Sequence, residues 1–173
     1  MSPRYIVIHC SASGFGDWKV IDAWHKARGW GKELDSTLKS VWIKRYGFWP
    51  VKIHIGYHAV ILNGCRTANK YKKALDGKIE PGRPENMTGA HCPKRNADSL
   101  GVCLIGSPGF SEYTDNQYAS LVHWCSVKCK QYGIPVDKIT QHSDWDKGKP
   151  LCASLHLEQL RGDVAEKLNG FKA

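Results

Sequence analysis

Three side chains of the types that bind zinc lie in two widely separated parts of the chain. His9 ends a short apolar run, and His142 and Cys152 enclose a loop that contains Gly and Pro. Two imidazoles and one thiolate form a ligand set that suits Zn²⁺. Three protein ligands leave a fourth coordination position for water, as in catalytic rather than structural zinc sites. This pattern predicts one zinc ion per chain, held by these three residues.

His9 lies at the C-terminal end of a predicted strand, and His142 directly follows another. In α/β sheets, ligands commonly bind outside the carboxyl ends of the strands, which favours a metal site. The alternative is a structural role for each residue. An isolated histidine is often hydrogen-bonded in the core, and an isolated cysteine is often a buried apolar thiol. The spacing alone leaves both interpretations open.

The length of 173 residues and the alternation of strands with helices predict a single α/β domain. Apolar runs rich in β-branched residues predict strands at residues 4–10, 55–62, 101–105 and 139–141. The second strand is expected to end at Asn63-Gly64, and a turn is expected at Asp76-Gly77. We therefore expect a central mixed sheet flanked by helices, with the zinc site at the strand ends.

Helices are predicted where apolar side chains recur three and four residues apart. The predicted helices are residues 19–28, 35–46, 114–133 and 155–168. The apolar stripe expected in the first helix consists of Val20, Ala23, Trp24 and Ala27. The third helix is the clearest, because Thr114 and Gln117 fit a capping box.

The formal net charge of +9 indicates an anionic partner, such as nucleic acid, an acidic membrane surface or an acidic cell-wall polymer. Alternatively, the charge only maintains solubility. A nucleic-acid partner is not expected, because the basic residues are not gathered in one helix or arm and no nucleic-acid motif occurs. No transmembrane segment is expected, because no apolar run approaches ~20 residues.

The seven cysteines are an odd number, and the N-terminus lacks the pattern of a signal peptide. Disulfide-bonded secreted proteins usually carry a signal peptide and an even number of cysteines. The sequence therefore predicts synthesis in a reducing compartment, with free thiols.

Five stretches of the chain, in order, resemble the zinc N-acetylmuramoyl-L-alanine amidases of the phage-lysozyme and peptidoglycan-recognition-protein superfamily. Residues 6–13 resemble the opening strand of these enzymes, and residues 23–30 resemble their first helix. Residues 55–58 are similar to the strand that carries their active-site tyrosine, and residues 89–106 to their substrate-groove and core-strand segment. Residues 142–152 resemble the stretch with the second and third zinc ligands. The matches cover nearly the whole chain.

The resemblance implies that His9, His142 and Cys152 are the zinc ligands and that Tyr57 is the active-site tyrosine. In such a site, zinc polarises the amide carbonyl and lowers the pKa of bound water from about 15.7 to about 7. A tyrosine hydroxyl and a lysine ammonium near the metal would stabilise the developing oxyanion. One such donor is typically worth ~3 kcal/mol.

The family also has a lysine just before the cysteine ligand, and Lys149 is the candidate for this catalytic role. Lys149 lies three residues before Cys152 rather than two, so Lys147 remains an alternative. The resemblance further implies that His91 and Asn96 line a groove that binds the sugar or the peptide of the substrate.

The resemblance implies a single amidase domain over residues 1–173, with insertions at about 32–52 and 65–75. It implies hydrolysis of the amide bond between N-acetylmuramic acid and L-alanine in peptidoglycan by a phage endolysin. We then expect a monomer, present in the host bacterial cytoplasm before lysis, that needs a holin for access to the periplasmic wall. The alternatives are a non-catalytic muropeptide-binding module and a cytosolic recycling amidase that acts on anhydro-muropeptides.

Overall fold

The computed structural model describes residues 1–48, 50–108 and 111–170, and a mixed five-stranded sheet runs through its centre. The strands, in chain order, are β1 (Tyr5–Cys10), β2 (Lys32–Glu33), β3 (Lys52–Ile53), β4 (Ala59–Cys65), β5 (Tyr71–Pro81), β6 (Ser99–Leu104) and β7 (Ile139–Gln141). The order in the central sheet is β5-β4-β6-β1-β7, in which only β4 and β5 are antiparallel. β2 and β3 form a separate antiparallel ribbon.

Helices cover both faces of this sheet, so the predicted α/β architecture is confirmed. The helices are α1 (Trp18–Ala27), α2 (Lys39–Tyr46), α3 (Asp115–Tyr132), α4 (His142–Trp145) and α5 (Leu157–Gly170). One apolar core joins α3 and α5 to the sheet, and a second core joins α1 and α2 to the opposite face. None of the helices in the described residues is long and apolar enough to span a membrane.

Successive side chains of β1 lie alternately in the two cores, on opposite faces of the sheet. Ile6 and Ile8 belong to the core beneath α3 and α5. His9 is paired in register with Cys103 of β6, which belongs to the core beneath α1. Because successive side chains of a strand point to opposite faces, His9 lies on the α1 face, near the carboxyl end of β1.

The strand predicted at residues 55–62 begins later than expected. Ile55, Gly56 and Tyr57 precede β4, and their backbone groups bind other partners. The amide of Ile55 donates to the Asp22 carboxylate at 2.7 Å, and the carbonyl of Gly56 accepts from Ala90 at 3.1 Å. At residues 55–57, long-range hydrogen bonds therefore take the place of the hydrogen bonds between neighbouring strands. The local sequence does not reveal these distant partners.

The predicted turns at Asn63-Gly64 and Asp76-Gly77 are both wrong. β4 continues to Cys65 and pairs with β5, which runs from Tyr71 through Asp76-Gly77 to Pro81. The pairing of β4 with β5 is irregular on either side of Asn63, so Asn63 and Gly64 are accommodated within the strand without ending it. The connection of the hairpin is therefore at residues 66–70.

The apolar stripe predicted for α1 is also wrong. The buried residues of α1 are Trp18, Ile21 and His25, whereas Trp24 is 37% exposed. A histidine whose ring nitrogen is hydrogen-bonded is able to occupy a buried position. The pattern of apolar residues alone therefore selected the wrong face of this helix.

The other predicted elements agree closely with the structure. The capping box of Thr114 and Gln117 begins α3, and α5 and β7 lie where they are expected. Residues 32–52 contain the ribbon strands, a 3₁₀ turn at Ser36–Leu38 and α2. That residues 32–52 and 65–75 are insertions relative to the family stays a prediction.

Candidate metal centre

The two histidines and the cysteine come together at one edge of the sheet. His9 lies near the end of β1, His142 is the first residue of α4 directly after β7, and Cys152 lies in the loop after α4. β1 and β7 are parallel neighbours, so their carboxyl ends reach the same edge. The candidate ligand atoms all lie within 4.8 Å of one another. The cluster predicted at the strand ends is therefore present.

Turns in the loop after α4 bring Cys152 back to the histidines. The amide of Lys149 donates to the carbonyl of Asp146, and the amide of Cys152 donates to the carbonyl of Lys149. The amide of Ser143 donates to the carbonyl of Cys152 at 2.8 Å, which joins the end of the loop to its start. The amide of Cys10 donates to the Sγ of Cys152 at 3.3 Å. The thiol is thus fixed to the end of β1.

A hydrogen bond to a second buried histidine orients the ring of His9. The Nε2 atom of His9 is 3.0 Å from Nδ1 of His91, whereas its Nδ1 atom is 4.0 Å from Sγ of Cys152. Nδ1 is therefore the nitrogen that faces the cluster. The ring of His91 lies over Gly101, where a Cβ atom would be 2.6 Å from the ring. The absence of a side chain at Gly101 gives His91 the space to reach His9.

The protonation of the histidines fits a bound cation. Burial, and then the neighbouring His91 and His142, hold the pKa of His9 well below its usual value, so this imidazole is neutral near pH 7. Burial also lowers the pKa of His142, and its Nε2 atom is buried with no hydrogen-bond partner among the described residues. Neutral rings with available lone pairs are the form in which histidine binds metals.

The thiol completes a donor set that zinc prefers. A hydrogen bond to Cys10, and then burial, raise the pKa of Cys152, so the thiol keeps its proton while no metal is bound. A metal ion must displace this proton to bind the sulfur. Two imidazole nitrogens and one sulfur match zinc rather than magnesium or calcium, which prefer oxygen ligands.

Tyr57 lies against this cluster. The centroid of its ring is 4.9 Å from that of His9. Burial, and then the neighbouring thiols of Cys103 and Cys152, raise the pKa of Tyr57 well above its usual value. The hydroxyl therefore keeps its proton and is able to donate a hydrogen bond beside the candidate ligands.

Lys147 and Lys149 are both exposed in the loop after α4. Burial is the main reason for the low pKa of His142, and the ammonium of Lys149 lowers it further, whereas Lys147 does not contribute. Of the two lysines, Lys149 therefore has its charge near the candidate ligands.

Comparison with known proteins identifies the family of the chain. The sequence model of the Amidase_2 family, described as N-acetylmuramoyl-L-alanine amidase, matches residues 1–152. The chain belongs to this amidase family. It is similar to the endolysin of Escherichia phage T7, with 29% identity over 104 residues, which are 58% of this chain and 46% of that protein. The chain thus spans about half the length of the curated relatives that it matches.

Solved structures from this superfamily have the same fold. The N-acetylmuramoyl-L-alanine amidase LysC from Clostridium intestinale URNW superimposes with a TM-score of 0.69 and 24% identity, over 95% of this chain and 87% of that chain. Drosophila peptidoglycan recognition protein SD superimposes with a TM-score of 0.51 and 20% identity, over 85% and 73% of the two chains. The resemblance to N-acetylmuramoyl-L-alanine amidases, first drawn from the sequence, is confirmed by the family match, and the solved structures show the shared fold.

His91 and Asn96, for which the amidase resemblance implies substrate binding, lie in the segment beside the candidate centre. His91 is only 5% exposed. The Oδ1 atom of Asn96 accepts hydrogen bonds from the amides of His91 and Cys92, both at 2.8 Å. Asn96 therefore holds the loop that presents His91 to His9. The substrate-binding role of both residues stays a prediction.

His25 is part of the site, although no role for it follows from the sequence. Its Nδ1 atom accepts a hydrogen bond from the amide of Gly56 at 2.9 Å, and its ring centroid is 5.2 Å from that of Tyr57. His25 thus fixes the backbone just before Tyr57. The helical spacing from Trp18 and Ile21 to His25 is the signal that would have revealed its buried position.

Proposed function

We propose that this chain is a zinc-dependent peptidoglycan amidase, which hydrolyses the amide bond between N-acetylmuramic acid and L-alanine. The observation that carries the proposal is the convergence of His9, His142 and Cys152 at the strand ends, with the ring of Tyr57 against them. Membership of the amidase family supports the choice of substrate. The resemblance to phage endolysins supports a role in lysis of the bacterial wall.

In this proposal His9, His142 and Cys152 hold one Zn²⁺. The chemistry that the bound ion supplies is Lewis acidity, which polarises the amide carbonyl and activates water near neutral pH. His91 keeps Nδ1 of His9 directed at the ion through its hydrogen bond to Nε2. An outer hydrogen bond of this kind also fixes the tautomer of the ligand.

Tyr57 and Lys149 stabilise the negative charge that develops on the carbonyl oxygen during attack. The raised pKa of Tyr57 supports this role, because the hydroxyl stays a donor at neutral pH. The effect of Lys149 on the pKa of His142 supports its choice over Lys147. A preorganised donor in such a site is typically worth about 3 kcal/mol of transition-state stabilisation.

The endolysin relatives support a role in lysis, and the biological setting that we propose extends this role. The protein acts as a monomer on periplasmic peptidoglycan, is present in the host bacterial cytoplasm before lysis, and reaches the wall with the help of a holin. These statements are part of the proposal and can be tested separately from the chemistry.

The proposal is tested by the release of peptide stems from purified Gram-negative sacculi. Release should stop when zinc is removed with a chelator and should return when Zn²⁺ is restored. His9→Ala should lose both activity and bound zinc, whereas His123→Ala, which changes an exposed residue of α3, should keep both. A His9→Ala variant that released stems at the normal rate would refute the zinc mechanism. A folded, zinc-loaded protein that bound muropeptides without cutting them would instead be a recognition module.

A further inference from the structure

The positive charge of the chain is concentrated in one stretch. Residues 18–73 contain twelve Lys and Arg against three Asp and Glu, a net charge of +9. The rest of the chain contains thirteen of each and is neutral. Eight of the twelve basic residues lie in residues 18–53, which form α1, the β2–β3 ribbon and α2, and the other four lie in the connection to β5 and its first residues. Charge that served solubility alone would have no reason to be confined in this way.

α1, α2 and the β2–β3 ribbon lie together on one side of the sheet. Trp42 of α2 and Ile53 of the ribbon pack in the same core as α1. The first residues of β5 are not part of this surface, because the hydroxyl of Tyr71 donates to Asp76, which also accepts from Thr114 at the start of α3. We call the exposed surface of α1, α2 and the ribbon the basic face.

The basic face also carries most of the exposed apolar side chains. Seven large apolar side chains are exposed in the described residues, and five of them lie here. The five are Trp24, Trp30, Ile43, Phe48 and Val51, of which Val51 is 67% exposed. Apolar side chains gathered on one exposed surface indicate an interaction site.

Cationic and apolar groups are interleaved on the basic face. The ammonium of Lys19 is 5.6 Å from the centroid of Phe48, and the guanidinium of Arg28 is 5.3 Å from that of Trp30. The structure describes eleven of the twelve basic side chains, and among these only Arg66 forms an ion pair with a carboxylate. The other ten present their charge to solvent or to an anionic partner.

We propose that the basic face docks on the surface of an anionic lipid bilayer. Lys and Arg would contact the headgroup phosphates, while the aromatic and aliphatic side chains would enter the interfacial layer. This combination of groups is typical of peripheral membrane surfaces. A second copy of the chain does not fit, because two surfaces of the same charge repel each other. A nucleic acid would bind the basic side chains through its phosphates. Its backbone offers no apolar surface that would bury aliphatic side chains such as Val51 and Ile43. The proposal goes beyond the amidase activity and does not depend on it.

The proposal is tested by sedimentation of the full-length chain with vesicles. The protein should bind vesicles that contain phosphatidylglycerol, should not bind vesicles of phosphatidylcholine alone, and should be released by high salt. Lys19→Gln/Lys52→Gln changes two exposed lysines of the basic face, one in α1 and one in the ribbon, and should weaken binding by about tenfold or more. Lys94→Gln/Lys167→Gln has the same net charge but changes exposed lysines elsewhere, and should bind nearly as well as the unaltered protein. Equal loss in both variants, or no binding to anionic vesicles at low salt, would overturn the proposal.

Val51→Ser separates a lipid from a nucleic-acid partner. This exposed substitution should weaken binding to anionic vesicles while circular dichroism and thermal unfolding stay unchanged. Tight binding to a double-stranded DNA fragment, together with vesicle binding that does not respond to Val51→Ser, would mean that the face recognises phosphate charge in general. That outcome would replace the lipid proposal with a nucleic-acid one.

Discussion

The two faces of the central sheet are stabilised in different ways. Beneath α3 and α5, apolar side chains form one large core. Beneath α1 the apolar core is smaller, and the space near the strand ends is occupied by buried histidines, including His9, His25 and His91. Apolar packing dominates the first face, where Gln117 of α3 adds hydrogen bonds to the carbonyls of Ile61 and Ile105. On the second face, hydrogen bonds hold buried imidazoles in position, as between His9 and His91 and between His25 and Gly56.

This difference predicts that equivalent substitutions have unequal consequences on the two faces. On the α3 side, removal of a polar group should affect stability only. On the α1 side, removal of a polar group should affect metal binding or turnover. Most of the following experiments compare a residue of the α1 side, or of the loop beside it, with a control.

The largest effect is expected from loss of the Tyr57 hydroxyl. Tyr57→Phe should lower the rate of stem release by about 10²–10³-fold, because a preorganised donor to the oxyanion is lost. Zinc content should not change. Tyr132→Phe removes a hydroxyl that donates to Glu85 at 2.8 Å on the α3 side, and should leave the rate unaltered. Normal turnover by Tyr57→Phe would exclude the proposed role of this hydroxyl.

Acid should destabilise the protein through His58, whose ring is buried just before β4. Its Nδ1 atom accepts from the amide of Gly101, and its Nε2 atom donates to the carbonyl of Met87. Burial lowers the pKa of His58 to about 4. Between about pH 6.5 and pH 4 the unfolded chain binds a proton that the folded chain does not, so stability is full above this range and falls as pH decreases through it.

The contribution of His58 to this loss should be on the order of 2–3 kcal/mol at pH 4.5. We expect urea unfolding of the zinc-free protein at pH 7.5 and pH 4.5 to show a smaller decrease for His58→Gln than for the unaltered chain. His123→Gln, at an exposed position of α3, should not change the decrease. Identical decreases for all three proteins would mean that His58 is already charged in the folded state.

Zinc affinity should decrease when His9 loses its outer partner. His91→Ala should weaken zinc binding by about 10–100-fold, because the hydrogen bond that selects the tautomer of His9 is lost. His91→Asn, which keeps a short polar side chain, should recover part of the affinity. Competition with a chromophoric chelator measures the affinity without reference to turnover. Unchanged affinity in His91→Ala would leave His91 with only the substrate-binding role that the sequence suggested.

The difference between the α3 side and the α1 side also explains which parts of the structure the sequence predicts. The α3 side follows local rules, because a capping box and regular helical spacing determine α3 without knowledge of distant residues. The approach of His9 to His142 and Cys152 also follows, because the carboxyl ends of adjacent parallel strands meet at one edge.

The α1 side is less predictable, because long-range hydrogen bonds decide its geometry. Residues 55–57 leave the strand conformation to bind Asp22 and His25 of α1. The buried face of α1 includes a histidine, which a search for apolar spacing does not select. The pairing of β5 with β4 likewise overrides turn signals such as Asp76-Gly77. Each of these features depends on a partner that is remote in the sequence.

The smallest effect concerns the two lysines of the loop after α4, which spacing alone does not distinguish. Lys149→Ala should slow stem release about tenfold, somewhat less than loss of a rigidly held donor, because its ammonium is exposed and screened by solvent. Lys147→Ala is the matched control and should have little effect, because Lys149 is the one of the two lysines whose charge acts on the pKa of His142, alongside burial and Asp146. Both variants should fold and bind zinc normally. If Lys147→Ala instead causes the larger decrease in rate, the loop between α4 and Cys152 must change its conformation when substrate binds. The fixed geometry of this side of the sheet would then include Cys152 but not the lysines before it.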